Sequence, residues 1–179
     1  ACVIATPSDQ AIFNEEAFRE NVLKGLAFVA ENDRFLTMGV KPTRPEPGYG
    51  YIQMGDVFCD NMYQVQSFTE KPERDFAKIF VESGEFYWNT GLFLSNVKHL
   101  RECFCKILPP VLRDYDKQYP EFSIETENAY MKESFSSYPN ISVDFGILEK
   151  PSDVCVMKCD FGWADLGTWH SIYEAMQKS

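Results

Sequence analysis

Apolar and polar positions along this chain alternate between two periods. Residues 1–6 are apolar on both faces and rich in strand formers, until "TPSD" stops them. Phe18, Val22, Leu26 and Val29 then recur at helical spacing. Asn14 stands as N-cap, Glu15 and Glu16 lie in the first turn where the helix dipole favours acids, and Phe13 and Phe18 occupy the positions of a hydrophobic staple. "RFLTMGVKP" reads as a second strand. Strand, helix, strand predicts two parallel strands joined by a right-handed crossover.

"PTRPEPGYGY" is a Pro/Gly loop, and "YIQMGDVFCDNMYQVQSFTEKP" reads as two strands joined through Asp60 and Asn61. "RDFAKIFVESG" is a short helix ended by Gly84, and "FYWNTGLFLSN" is an aromatic-rich strand. Helical segments lie on either side of Pro109 and Pro110. "SVDFGILEK" is a short helix or turn and "VCVMKCDF" a strand. "TWHSIYEAMQK" opens a last helix with Thr168 as N-cap. Alternating strands and helices, without repeats, linkers or low-complexity tracts, make the fold class α/β.

Composition narrows the picture. A chain of 179 residues with 45% hydrophobic content can bury one domain's core. A net charge of −10 argues against nucleic-acid and anionic-membrane surfaces, though one lysine or a bound cation can still reverse the local field. No apolar run reaches the roughly 18 residues of a spanning helix. The six cysteines show no zinc-knuckle spacing and read as reduced, mostly buried thiols of a cytoplasmic protein. The chain opens inside a strand without an initiator Met, which predicts a fragment of a larger protein.

Polar residues gather where strands end, the place where open α/β sheets bind ligands. Asp9 and Asp165 come from distant strand ends; two such carboxylates can share one Mg²⁺, whose shell water and phosphate complete. Taken alone, each reads first as a solvated turn residue or a cap. Lys71 can act as a point charge on phosphate and Glu70 can accept hydrogen bonds from sugar hydroxyls, or the two form an exposed ion pair before a Pro turn. Gly48, Tyr49 and Gly50 allow backbone close to a ligand or simply form a loop. Asn89 can bond hydroxyls, while Trp88 beside it reads as core. His99 and His170 read as structural or surface residues.

"PSD", "TMGVKPTRPEPGYGYI", "FTEKP", "WNTGLFL", "SVDFGILEK" and "DFGWADLGTW" follow one another in order, and this series resembles the mannose-1-phosphate guanylyltransferase family over nearly the whole chain. The resemblance implies a nucleotide-diphospho-sugar transferase fold, with a mostly parallel Rossmann-like sheet flanked by helices and incomplete at its N-terminus. Residues 1–179 would form the C-terminal part of a single nucleotidyltransferase domain, carrying the sugar-phosphate half. It further implies that GTP and mannose 1-phosphate give GDP-mannose and pyrophosphate, by in-line attack of the sugar phosphate on the α-phosphorus with Mg²⁺ as cofactor. Asp9 and Asp165 would hold the metal and Lys71 the phosphate. Glu70 and Asn89 would bind mannose hydroxyls; Gly48, Tyr49, Gly50, Gly91, Asp144 and Lys150 would line the substrate pocket. Two departures stand out: no Gly-rich, Arg-bearing nucleotide loop is present, and Gln10 follows "PSD" where the family often has His. The missing loop implies that the segment alone is inactive. Alternatives are a pyrophosphorylase using glucose 1-phosphate with UTP or dTTP, and a non-catalytic sugar-phosphate-binding homologue. Association of copies is left open.

Overall fold

A computed structural model describes residues 1–148, 153–167 and 169–176. The elements run β1 Cys2–Ala5, β2 Gln10–Ile12, α1 Glu15–Glu31, β3 Phe35–Val40, β4 Gly50–Cys59, β5 Met62–Glu70, α2 Arg74–Ser83, β6 Phe86–Asn96, α3 Val97–Ile107, α4 Pro109–Gln118, α5 Ile124–Ser134, β7 Val154–Cys159, β8 Trp163–Asp165 and α6 Trp169–Met176. A π-helical turn spans Asp144–Leu148. The predicted N-cap Thr168 lies outside the described residues.

α1 forms as its sequence predicts. Asn14 Oδ1 accepts from Ala17 N–H at 3.0 Å, satisfying one of the helix's orphan donors. The two staple phenylalanines both meet the 161–162 turn: Phe18 packs edge-on to Phe161 at 5.2 Å, and Phe13 N–H donates to Gly162 O. Asn14→Ala is expected to cost about 1 kcal/mol, lowering Tm by about 2–4 °C in a melt of the intact protein, whereas Asn14→Asp is near neutral.

The main sheet has six strands in the order β1-β6-β3-β7-β5-β4, with a further β6–β4 pairing. β3 is buried along its whole length. Its Leu36, Met38 and Val40 join a core with α1 and α2 residues such as Val29 and Ala77, while Phe35 joins a second core with Cys103 of α3. Helices therefore cover both faces, as expected for α/β.

The pairing sense differs from the mostly parallel prediction. Among the described strands β3–β7 is parallel, and β1–β6, β3–β6, β4–β5, β4–β6 and β5–β7 are antiparallel. The crossover argument holds for direction only. β1 and β3 run the same way because both oppose β6, which lies between them. The β4–β5 hairpin adds the remaining antiparallel pairs.

One edge of β6 is shared by two strands in succession. Residues 93–96 of β6 pair with β1, and residues 86–89 pair with β4. Gly91 stands between them with φ 72°, and a Cβ there would lie 2.9 Å from Pro7 Cγ. Only glycine admits both the left-handed backbone and the close approach of the loop after β1.

α5 has no counterpart in the sequence prediction. Ser123 and Thr126 cap it reciprocally. All six thiols are free, and Cys103, Cys155 and Cys159 are buried while Cys59 and Cys105 are exposed. Burial pushes Cys155 up to about 11 and Cys159 up to about 12, leaving both poor nucleophiles. No helix among the described residues is long and apolar enough to cross a membrane.

Candidate active site

A two-stranded ladder brings the distant carboxylates together. β2 pairs antiparallel with β8, setting Gln10 opposite Asp165. Leu166 N–H donates to Asp9 O at 2.9 Å, which extends the ladder to the residue before β2. A Cβ at Gly167 would lie 2.8 Å from Asp165 Oδ1 and 4.0 Å from Asp9 Oδ2, so both carboxylates face the same point. Asp165 Oδ1 also accepts from Gly167 N–H at 2.6 Å. The aspartate thus shapes its turn and still faces Asp9 across it. Among the described residues neither carboxylate pairs with a cationic side chain, and no cluster of three or more His, Cys, Asp or Glu forms at this pair or anywhere else. Two convergent hard-oxygen donors fit a cation such as Mg²⁺, which takes few protein ligands and keeps places for phosphate and water.

The second group lies along a rank that crosses the sheet. Gly50 pairs with Glu70 on one side and Asn89 on the other, and Asn89 pairs with Gly39 of β3. Residues in one rank present side chains to one face. Glu70 and Asn89 therefore stand on the same face with Gly50 between them. A Cβ at Gly50 would lie 2.6 Å from Glu70 Oε2 and 3.3 Å from Asn89 Cβ. Asp144, on the π-helical turn, accepts from Asn89 Nδ2 at 3.0 Å. The predicted Glu70, Gly50, Asn89 and Asp144 are thereby brought together.

Lys71 follows directly, with Nζ 3.5 Å from Glu70 Oε1 and its side chain 66% exposed. Its φ is 48°, a left-handed conformation that costs a non-glycine residue about 1–2 kcal/mol. Lys71 N–H donates to Tyr49 O at 3.2 Å, so the strained turn is held by the 48–50 loop. Gly48 N–H donates to Glu46 Oε1 at 3.2 Å, which leaves its role local to that loop.

The Tyr49 ring turns to the other side. It packs edge-on to Trp88 at 5.1 Å and to Trp163 at 5.2 Å. Burial raises its phenol, which a hydrogen bond from Ser171 partly offsets. These aromatics line a cavity of about 640 Å³ at the ends of β3 and β7, with Lys41, Arg44 and Lys158 on its walls. Of the predicted residues that are described, only Tyr49 reaches it. Two of its cations are already engaged: Arg44 lies 3.3 Å from Glu46, and Lys158 sits 4.1 Å over the Tyr63 ring.

The loop carrying Asp9 is seated beside this rank. Pro7 lies over Gly91, Gly91 N–H donates to Asn89 Oδ1 at 3.2 Å, and Gln10 Nε2 donates to Thr90 O at 2.5 Å. The loop that carries Asp9 is therefore anchored next to Asn89, at the split edge of β6. Lys150 lies outside the described residues. His99 is buried against Phe35, in keeping with a structural residue. Sequence reasoning missed Gln10 as an anchor and Thr37 as a partner of Asn89; a threonine inside the otherwise apolar run of β3 was the available signal.

The sequence profile of the nucleotidyl transferase family matches residues 3–179. The chain belongs to the nucleotidyl transferase family. It is 35% identical over 177 residues to the mannose-1-phosphate guanylyltransferase ManC of Salmonella typhimurium, covering 96% of this chain and 37% of that protein. It is 33% identical over 179 residues to the mannose-1-phosphate guanylyltransferase of Escherichia coli K12, again covering 96% and 37%. Among solved structures, the protein from Thermus thermophilus described as a mannose-1-phosphate geranyltransferase superposes with a TM-score of 0.86 at 28% identity, covering 99% of this chain and 50% of that one. The nucleotidyl transferase fold is thus the one built here, with a mixed sheet. The chain spans 37% of the length of these curated relatives.

Proposed function

We propose that the intact protein carrying this nucleotidyl transferase segment makes GDP-mannose and pyrophosphate from GTP and mannose 1-phosphate. The segment contributes the sugar-phosphate half and the metal carboxylates. The observation that carries this reading is the meeting of Asp9 and Asp165 beside the Glu70–Gly50–Asn89 rank. Similarity to guanylyltransferases over almost the whole segment supports the choice of substrates.

In this reading Glu70 accepts hydrogen bonds from sugar hydroxyls, and Gly50 lets the ring approach the backbone. Asn89 donates to the sugar, and Asp144 holds the Asn89 amide. Lys71 meets the sugar phosphate as a point charge on a turn already bent toward the site. Gly91 seats the Asp9 loop against the rank, and Gly48 and Tyr49 shape the neighbouring loop. Asp9 and Asp165 would hold Mg²⁺, which supplies charge neutralisation on the phosphates when bound. A phosphate oxygen of the sugar phosphate bonds to the α-phosphorus, and the bond from that phosphorus to the bridging oxygen of pyrophosphate breaks. The residues on this segment act by holding two anions in line and balancing charge, which needs no covalent enzyme intermediate.

A substrate panel on the intact protein tests the assignment. GTP with mannose 1-phosphate is expected to exceed UTP or dTTP with glucose 1-phosphate by at least about a hundredfold in kcat/KM. Preference for a glucose pair keeps the reaction and overturns the substrates. No pyrophosphate release with any pair overturns the reading.

A further inference from the structure

We propose that Thr37 is a positioning residue that holds in place the Asn89 amide, which Gly91 and Asp144 orient as a hydrogen-bond donor to substrate; this rests on the sugar-phosphate reading of the site. Asn89 Oδ1 accepts from Thr37 Oγ1 at 2.9 Å and from Gly91 N–H at 3.2 Å. Asn89 Nδ2 donates to Asp144 Oδ1 at 3.0 Å. Turning the amide over would set an N–H against the Gly91 N–H and an oxygen against the Asp144 carboxylate, so the partners permit one orientation. Both acceptor positions of the oxygen are then used. The second Nδ2 proton has no acceptor among the described residues. Asn89 can therefore meet a ligand as donor only, while Glu70, in the same rank, meets it as acceptor.

Thr37 is the rigid member of this set. It is 1% exposed, at the centre of the buried strand β3, and its single hydroxyl proton is shared between Asn89 Oδ1 at 2.9 Å and Leu92 O at 3.0 Å. Gly91 lies at the irregular point of β6 and Asp144 on a π-helical turn, whereas Thr37 belongs to a strand paired on both sides. Thr37 thus ties the amide to the sheet centre. A β-branched side chain has few rotamers, which holds the hydroxyl in place before any ligand arrives.

The test uses Thr37→Val and Thr37→Ser in the intact protein. Thr37→Val keeps shape and removes the donor. It is expected to raise KM for the sugar 1-phosphate by about tenfold, with kcat and the nucleotide KM within about threefold of wild type. Thr37→Ser keeps the hydroxyl and is expected to restore the sugar-phosphate KM to within about threefold. A ligand-free crystal structure of Thr37→Val should show the Asn89 side chain displaced from its wild-type position, with its oxygen still toward Gly91 N–H and its nitrogen toward Asp144. An unchanged KM in Thr37→Val, or Thr37→Ser as impaired as Thr37→Val, overturns the proposal. If the wild type turns over no sugar 1-phosphate, the functional reading fails instead. The position of the Asn89 side chain in the variant crystal then decides the positioning role, and an unmoved amide rejects it.

Discussion

Replacing Asp165 with asparagine is expected to lower kcat of the intact protein by about a thousandfold or more while leaving its fold unchanged. The two halves of that expectation come from different atoms. Asp165 Oδ1 accepts from Gly167 N–H at 2.6 Å, and an asparagine Oδ1 accepts the same proton. The turn therefore survives, and Tm should stay within about 2 °C of wild type because only an exposed local bond is perturbed. What asparagine removes is the negative charge that faces Asp9 across Gly167. If Asp165 served the turn alone, Asp165→Asn would be nearly silent in both assays. Asp9→Asn is expected to match the kinetic loss. Combining the two should cost little more than either alone, because residues serving one centre act as a unit. Additive losses would place the carboxylates in separate roles.

Gly50→Ala is expected to cost about a hundredfold in kcat/KM for the sugar phosphate, with little effect on stability. Gly50 is not among the residues with positive φ, so alanine can take its backbone conformation. The added methyl would fall 2.6 Å from Glu70 Oε2, the far end of a flexible side chain, and 3.3 Å from Asn89 Cβ and Phe68 Cζ. The carboxylate can swing aside, which spares the fold and displaces the group proposed to accept from the sugar. A displacement of about 1 Å at a positioning group is enough for a loss of that size. Gly50→Ala combined with Glu70→Gln should be no worse than Glu70→Gln alone, since both act through one carboxylate. Wild-type kinetics in Gly50→Ala would show that Glu70 does not touch substrate.

Local elements were legible where a strong period or a named cap announced them. Asn14, the helical stripe of α1, Gly84 and the apolar run of β3 each declared their structure in a few residues. α5 did not, because its helix carries no buried residue and its capping box uses Thr126 where glutamate or glutamine is the usual signal. Long-range pairing was less legible. Nothing in "FYWNTGLFLSN" says that it inserts antiparallel between β1 and β3, since strand periodicity is blind to the partner's direction. The β2–β8 ladder is three residues on each side, too short for a period, and it is the element that joins Asp9 to Asp165. Their place at strand ends allowed a shared cation but read first as turn chemistry, and it was the family likeness of "PSD" and "GWADLG" that made their meeting the expectation. Gly50, Glu70 and Asn89 were picked as separate loop and rim residues. Their common rank depends on the registers of β4 with β5 and β6, which the sequence does not spell out. Thr37 was passed over because a single hydroxyl in a buried strand reads as core until its partner is known.

The carboxylates of Asp9 and Asp165 are proposed to share one divalent cation. Crystals of the intact protein soaked with Mn²⁺ and GDP-mannose, measured at the manganese edge, test it most directly. The account predicts one anomalous peak bonded to a carboxylate oxygen of each residue and to phosphate oxygens. A catalytically active protein whose manganese peak lies away from both aspartates would contradict it.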